Sequence, residues 1–131
     1  SNFINLSTDL LKTKEAGSSE LRKLGTTIRI LHEIGVSHGD LTTHNVMVSQ
    51  KGSISLIDFG LSRQSPEIEH LGLDLQVLNE CLSASHSSIP DAIEQVCNGY
   101  ISAGNKEKLA PSAEMVVERF RKITGRVRYH G

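Results

Sequence analysis

A mainly α-helical domain carrying one short β-hairpin is the fold class this sequence predicts, and three observations lead to it. Four stretches repeat apolar residues at helical steps, two short apolar runs are joined by a polar link, and 131 residues hold one hydrophobic core. The hydrophobic set is 37% of the chain, and its 11 glycines bring the count to about 45%, within the ordinary globular range of roughly 45–50%. That balance excludes disorder, collagen and coiled coil. No apolar run approaches the roughly 18 residues of a membrane span, and the start at Ser1-Asn2-Phe3-Ile4-Asn5 lacks the basic and apolar regions of a secretory signal. No membrane is expected, and the expected compartment is the cytoplasm, with the nucleus second.

The elements follow in order. Ser18-Ser19-Glu20 supplies capping hydroxyls and an early acid ahead of Leu21, Leu24, Ile28 and Leu31, at steps of three, four and three, with Gly35 as the stop. Val46-Met47-Val48 and Ile54-Ser55-Leu56-Ile57 are separated by Ser49-Gln50-Lys51-Gly52-Ser53, which predicts a small hairpin. From Leu71 to Leu82 the apolar residues Leu71, Leu73, Leu75, Val77, Leu78, Cys81 and Leu82 cover too many faces for a surface helix, so this helix is expected to be buried nearly all round. Pro90-Asp91 opens a helix carrying Ile93, Val96, Tyr100 and Ile101 before Gly104, and Pro111-Ser112 opens a last one carrying Ala113, Val116, Phe120 and Ile123 before Gly125. The domain is expected to span 1–125, followed by a basic tail over 126–131.

Cys81 and Cys97 stand among apolar residues at helical spacing, with no second pair to complete a zinc set, and read as buried free thiols. Charge is unevenly spread. Residues 1–105 hold seven Lys/Arg against twelve Asp/Glu, whereas 106–131 hold seven against three, so −5 and +4 make up the net −1. A solvated helix face explains the basic end, and a phosphate-binding tail is the alternative.

The chemistry lies around the hairpin. His38-Gly39-Asp40-Leu41-Thr42-Thr43-His44-Asn45 precedes it, and Asp58-Phe59-Gly60 follows directly. A hairpin returns the chain to where it left, so Asp40, Asn45 and Asp58 can converge. Two oxygen ligands beside a third carboxylate suit magnesium, which takes few protein ligands and keeps water and phosphate oxygens for the rest. Phosphoryl transfer needs those parts: metal ligands, and a carboxylate that orients the nucleophile and accepts its proton. Taken singly, an Asp beside a Gly is usually a turn residue.

The ordered set H-x-D-L-x-x-x-N, a hairpin and D-F-G resembles the catalytic loop and metal-binding motif of protein-kinase-like phosphotransferases. Leu21–Ile34 resembles the helix before that loop, and Leu71–Leu82 the central helix of the kinase C-terminal lobe. The resemblance implies Asp40 as catalytic base, Asn45 and Asp58 as the magnesium ligands and thereby the cofactor-binding residues, and His38, Gly60 and Asp74 as structural supports. Asp74 would be the central helix's buried aspartate, accepting hydrogen bonds from the catalytic-loop backbone. On its own spacing it reads as well as a helix-surface residue.

H-G-D-L-T-T, I-D-F-G-L-S, Leu73-Asp74-Leu75-Gln76-Val77-Leu78 and the basic end Gly125-Arg126-Val127-Arg128 are similar to the small atypical kinase or ATPase of the KEOPS complex. That family typically has H-G-D-L-T-T-S-N and V-D-L-Y-V-L, so His44 replaces a Ser and Gln76 a Tyr. The resemblance implies ATP and magnesium as cofactors, the KEOPS modifying enzyme and a small regulatory subunit as partners, and tRNA reached through the complex, with Arg126 and Arg128 of the tail as phosphate contacts. It also implies a subunit that supports threonylcarbamoyl-adenosine formation on tRNA.

Gly39 stands where most kinases have Arg, and no A-P-E motif follows, so activation-loop phosphorylation is not expected to act here. No G-x-G loop and no V-A-I-K lysine occur. The kinase N-terminal lobe is therefore expected to be absent, leaving a C-terminal lobe. Two other functions are compatible with the motif: a small-molecule phosphotransferase of the aminoglycoside or choline kinase kind, and a non-catalytic interaction module in an assembly.

Overall fold

A computed structural model describes residues 3–12, 17–107 and 110–130, with only the backbone of 12, 17 and 127–130. The order is β1 (Phe3–Asn5), α1 (Leu6–Lys12), α2 (Gly17–Glu33), β2 (Val36–Ser37), a 3₁₀ turn (Thr43–Asn45), β3 (Val46–Ser49), β4 (Ile54–Leu56), β5 (Arg63–Gln64), α3 (Ile68–Ser85), α4 (Ala92–Ser102) and α5 (Ala113–His130). The class is the expected one, helical with little sheet.

The hairpin is β3–β4, antiparallel with Val46 opposite Leu56. It is larger than its sequence pattern indicated, because β1 adds a third strand in the order β1-β3-β4. Three residues, two of them exposed, carry too little alternation to announce a strand. A second pair, β2–β5, joins Val36 to Gln64 and Ser37 to Arg63 and brackets the polar loop between them.

The core lies where the helices meet. α2 buries Leu21, Leu24 and Ile28, α3 buries Leu71, Leu75, Leu78 and Leu82, α4 buries Val96 and Tyr100, and α5 buries Val116, Phe120 and Ile123. α2 and α4 approach closely because both carry a glycine at the crossing: a Cβ on Gly25 would lie 2.0 Å from the Val96 carbonyl, and one on Gly99 1.9 Å from that of Arg22. Each helix's backbone fills the space a side chain would need.

Three expectations need correction. α3 is not buried all round, since Leu73 is 39% exposed and Val77 and Cys81 are half-buried. Its buried set includes the polar Asp74 and Gln76, so the hidden face was partly polar and the visible one partly apolar. Cys81 is accordingly half-buried, whereas Cys97 is buried and its thiol is pushed up to about 11 by desolvation. Finally, α5 does not stop at Gly125 but runs on to His130. Gly125 is exposed, and the helix is pinned to α3 on either side of it by Thr124 Oγ1 to Gln76 Oε1 at 2.5 Å and by Arg126 to Glu69 at 3.0 Å. A glycine costs a helix interior about 1 kcal/mol, which such contacts can offset.

Candidate functional site

The loop between β2 and β3 is built from backbone turns. The Thr42 N–H donates to the Asp40 carbonyl and the Asn45 N–H to the Thr42 carbonyl, both at 3.0 Å, which winds the chain into the 3₁₀ turn. The Asn45 side chain then folds back, its Nδ2 donating to the Asp40 carbonyl at 2.8 Å and to Asp40 Oδ2 at 3.3 Å. Across the hairpin the Ile57 N–H donates to the Asn45 carbonyl at 2.9 Å, so Asp58 follows the residue directly opposite Asn45. The structure thus brings Asp40, Asn45 and the backbone leading into Asp58 together.

Asp58 adopts φ 61°, a left-handed conformation that few residues other than glycine take, Asp and Asn more readily than most. Its carboxylate is exposed and takes no hydrogen bond or ion pair among the described residues. The bonds of the Asn45 amide run through Nδ2, leaving Oδ1, the atom a hard cation takes. No group of three or more His, Cys, Asp or Glu suited to a metal occurs among the described residues, and the expected ligands Asn45 and Asp58 offer an amide oxygen and a carboxylate. That donor set fits magnesium and not zinc.

His38 fastens the loop from beneath. It is fully buried; its Nδ1 accepts the Asp40 N–H at 3.1 Å and its Nε2 donates to the Ile57 carbonyl at 2.8 Å, which requires the Nε2–H tautomer. The ring lies against Phe59 with centroids 4.8 Å apart. One imidazole therefore spans both halves of the site. Gly39 has φ +89°, and a Cβ there would lie 2.1 Å from the Leu61 carbonyl, so the chain after Asp58-Phe59-Gly60 packs directly on it. A side chain such as Arg has no room at this position. Gly60 carries no such demand, because a Cβ there would meet Asp58 Oδ1 at an ordinary 3.5 Å.

Asp74 is 2% exposed and supports the loop through its backbone. Its Oδ2 accepts the His38 N–H at 2.8 Å and its Oδ1 the Gly39 N–H at 3.0 Å. Oδ2 also accepts Nε2–H of His32 at 2.8 Å. Desolvation lowers the His32 pKa, against the pull of the Asp74 carboxylate, so the pair is a hydrogen bond to a neutral ring and not an ion pair.

The family model described as "Protein kinase domain" matches residues 3–94, from β1 through the 38–60 site to the start of α4. The chain belongs to the protein kinase family. A KEOPS complex subunit Bud32 of Pyrococcus abyssi is 37% identical over 109 residues, covering 82% of this chain and 47% of that protein. A probable bifunctional tRNA threonylcarbamoyladenosine biosynthesis protein of Methanospirillum hungatei is 38% identical over 122 residues, 92% of this chain and 22% of that protein. The EKC/KEOPS complex subunit bud32 of Aspergillus clavatus is 36% identical over 97 residues, 61% of this chain and 35% of that protein. The chain thus spans at most about half the length of these relatives.

Several residues at the site escaped the sequence reading. Asn5 on β1 donates to the His44 carbonyl at 2.6 Å and ties the edge strand to the loop. His32, Tyr100 and Arg29 lie behind Asp74, with Arg29 fully buried. The signal for two of them was present, since Arg29 and His32 fall on the buried stripe of α2 that carries Leu21, Gly25 and Ile28. A polar residue on such a stripe needs a partner, but the partner is named only by the fold.

The basic end is rearranged. Arg126 and Arg128 were expected to share one side of an extended tail, yet the backbone here is helical through His130 and not extended. Arg119 and Arg126 both pair with Glu69 on α3, at 3.5 and 3.0 Å, and Arg121 forks onto Glu94 at 3.1 and 3.0 Å. The side chain of Arg128 lies outside the described residues.

Proposed function

We propose that the whole protein is a KEOPS-type atypical kinase or ATPase that supports threonylcarbamoyl-adenosine modification of tRNA, and that the 38–58 site performs magnesium-dependent phosphoryl transfer from ATP. The observation that carries the reading is the pairing of one engaged group with two free ones: Asn45 Nδ2 is tied to Asp40, while Asn45 Oδ1 and the Asp58 carboxylate are left for a cation. In this reading Asp40 orients the attacking hydroxyl or water and accepts its proton. Asn45 and Asp58 hold the magnesium, which when bound neutralises charge on the phosphate oxygens. His38 and Asp74 keep the loop in register, and Gly39 lets the following segment close on it.

Similarity to proteins named as KEOPS and EKC/KEOPS subunits supports assembly with a modifying enzyme and a small regulatory subunit, with tRNA as the shared substrate and the cytoplasm or nucleus as the compartment. No described helix is long and apolar enough to cross a membrane. The test is ATP turnover by the full-length protein, alone and with its complex. Asp58→Ala should abolish magnesium-dependent phosphate release, and Asp40→Asn should lower it about a hundredfold or more, the scale of a general base. Near-parental turnover in both variants would remove the site assignment; a parent without turnover in any assembly would leave an interaction module instead.

A further inference from the structure

Behind Asp74 lies a buried chain of polar groups that the phosphoryl-transfer reading does not use. His32 Nδ1 lies 2.7 Å from Tyr100 Oη, and Arg29 Nη1 lies 3.2 Å from the same oxygen. All three residues are buried, His32 at 2% exposure and Arg29 and Tyr100 at 0%. Arg29 is held on its far side by Nε to the Gly104 carbonyl at 3.1 Å and by Nη2 to the Pro111 carbonyl at 2.9 Å.

The directions of these bonds follow from the donor inventory. A carboxylate only accepts, so His32 Nε2 carries hydrogen toward Asp74; a guanidinium only donates, so Arg29 gives a hydrogen to Tyr100 Oη. With the His32 ring neutral, Nδ1 holds a lone pair, and the Tyr100 hydroxyl hydrogen is the donor that meets it. The bonds from Arg29 through Tyr100 and His32 then all point toward Asp74, and the His38 and Gly39 amides donate to the same carboxylate from the loop side. A proton added at Nδ1 would face a hydroxyl already receiving one from a cation.

We infer that Tyr100, about 60 residues along the chain from the site, is a positioning residue for the 38–45 loop: its hydroxyl, donating to Nδ1, fixes the tilt of the His32 ring, and through Asp74 the placement of Asp40. The inference rests on the phosphoryl-transfer reading only for its kinetic readout. Burial lowers the His32 pKa and raises that of Tyr100, which agrees with a neutral ring facing an intact hydroxyl.

The experiment uses the full-length protein and compares Tyr100→Phe with Val96→Ala, a core truncation on the same helix. In the parent, imidazole ¹⁵N shifts should report the Nε2–H tautomer for His32. Tyr100→Phe should move the His32 Nδ1 resonance and the His38 and Gly39 amides, and lower kcat about three- to tenfold, the worth of one hydrogen bond, with KM for ATP within about twofold. Val96→Ala should lower the melting temperature without moving those resonances or kcat. Incorporating 3-fluorotyrosine, a stronger hydrogen-bond donor than tyrosine, should also shift His32 Nδ1. The inference is overturned if neither tyrosine change moves His32 and the two amides, or if Val96→Ala reproduces both effects. Absence of turnover in the parent would remove the functional reading, and the resonances would still decide this one.

Discussion

Replacing Asp74 by alanine removes one carboxylate and strands three donors. Both oxygens of this 2%-exposed side chain are used: Oδ1 by the Gly39 N–H, Oδ2 by the His38 N–H and by His32 Nε2. An unpaired buried donor costs roughly 1–3 kcal/mol, so three set a floor of about 3 kcal/mol, and water entering the vacated space holds the total nearer 3–5 than the upper limit. Two of the three donors are backbone groups of the site loop, so the loss falls on that loop first. At 1.4 kcal/mol per factor of ten, hydrogen exchange at the His38 and Gly39 amides should accelerate about a hundredfold or more. Asp74→Asn retains one acceptor and should fall between the parent and Asp74→Ala. Glu80→Ala is the matched control, an exposed residue on the same helix that among the described residues accepts from Gln76 alone, at 3.2 Å, and it should cost a few tenths of a kcal/mol. Equal small effects at Asp74 and Glu80, with unchanged exchange at the two amides, would refute the reasoning.

The other predictions use separate features. Burial lowers the pKa of His32 and, with His44 nearby, of His86 below the ordinary 6.5, so the unfolded chain binds protons that the folded one refuses. The stability this provides is complete above about 6.5 and is lost as pH falls below it; denaturant midpoints should drop on acidification, less steeply in His86→Gln, and a parallel slope in that variant would exclude His86. Gly39→Ala places a Cβ 2.1 Å from the Leu61 carbonyl at φ +89°, so it should cost more than the roughly 1–2 kcal/mol of a left-handed residue alone and displace the 61–64 segment; a parental melting temperature would contradict the packing. Arg126→Ala removes an exposed ion pair worth about 0–1 kcal/mol and should barely move the melting temperature. Combined with Arg128→Ala, it should reduce the salt slope of tRNA binding by the assembled complex by roughly 0.7–0.9 per lost phosphate contact, and an unchanged slope would remove the tail from the RNA surface.

The chain's own order of residues determined the fold class, the hairpin and the three polar positions around it. Those depend on short-range rules: apolar steps of three and four make a helix face, and a hairpin of known length returns Ile57 beside Asn45, so Asp40, Asn45 and Asp58 are near one another before any packing is known. Where the helix end depended on a distant partner, the local rule failed. Gly125 reads as a stop, but contacts from α3 carry α5 past it, and the same contacts turn Arg126 toward Glu69. Only the tertiary structure decided that Asp74 faces the loop and not solvent, since alternating apolar residues on α3 leave either face open. Arg29, His32 and Tyr100 belong to the same class: a buried polar side chain is stable only with its partners, and Arg29 and His32 find Tyr100 71 and 68 residues away, across a helix crossing that Gly25 and Gly99 permit.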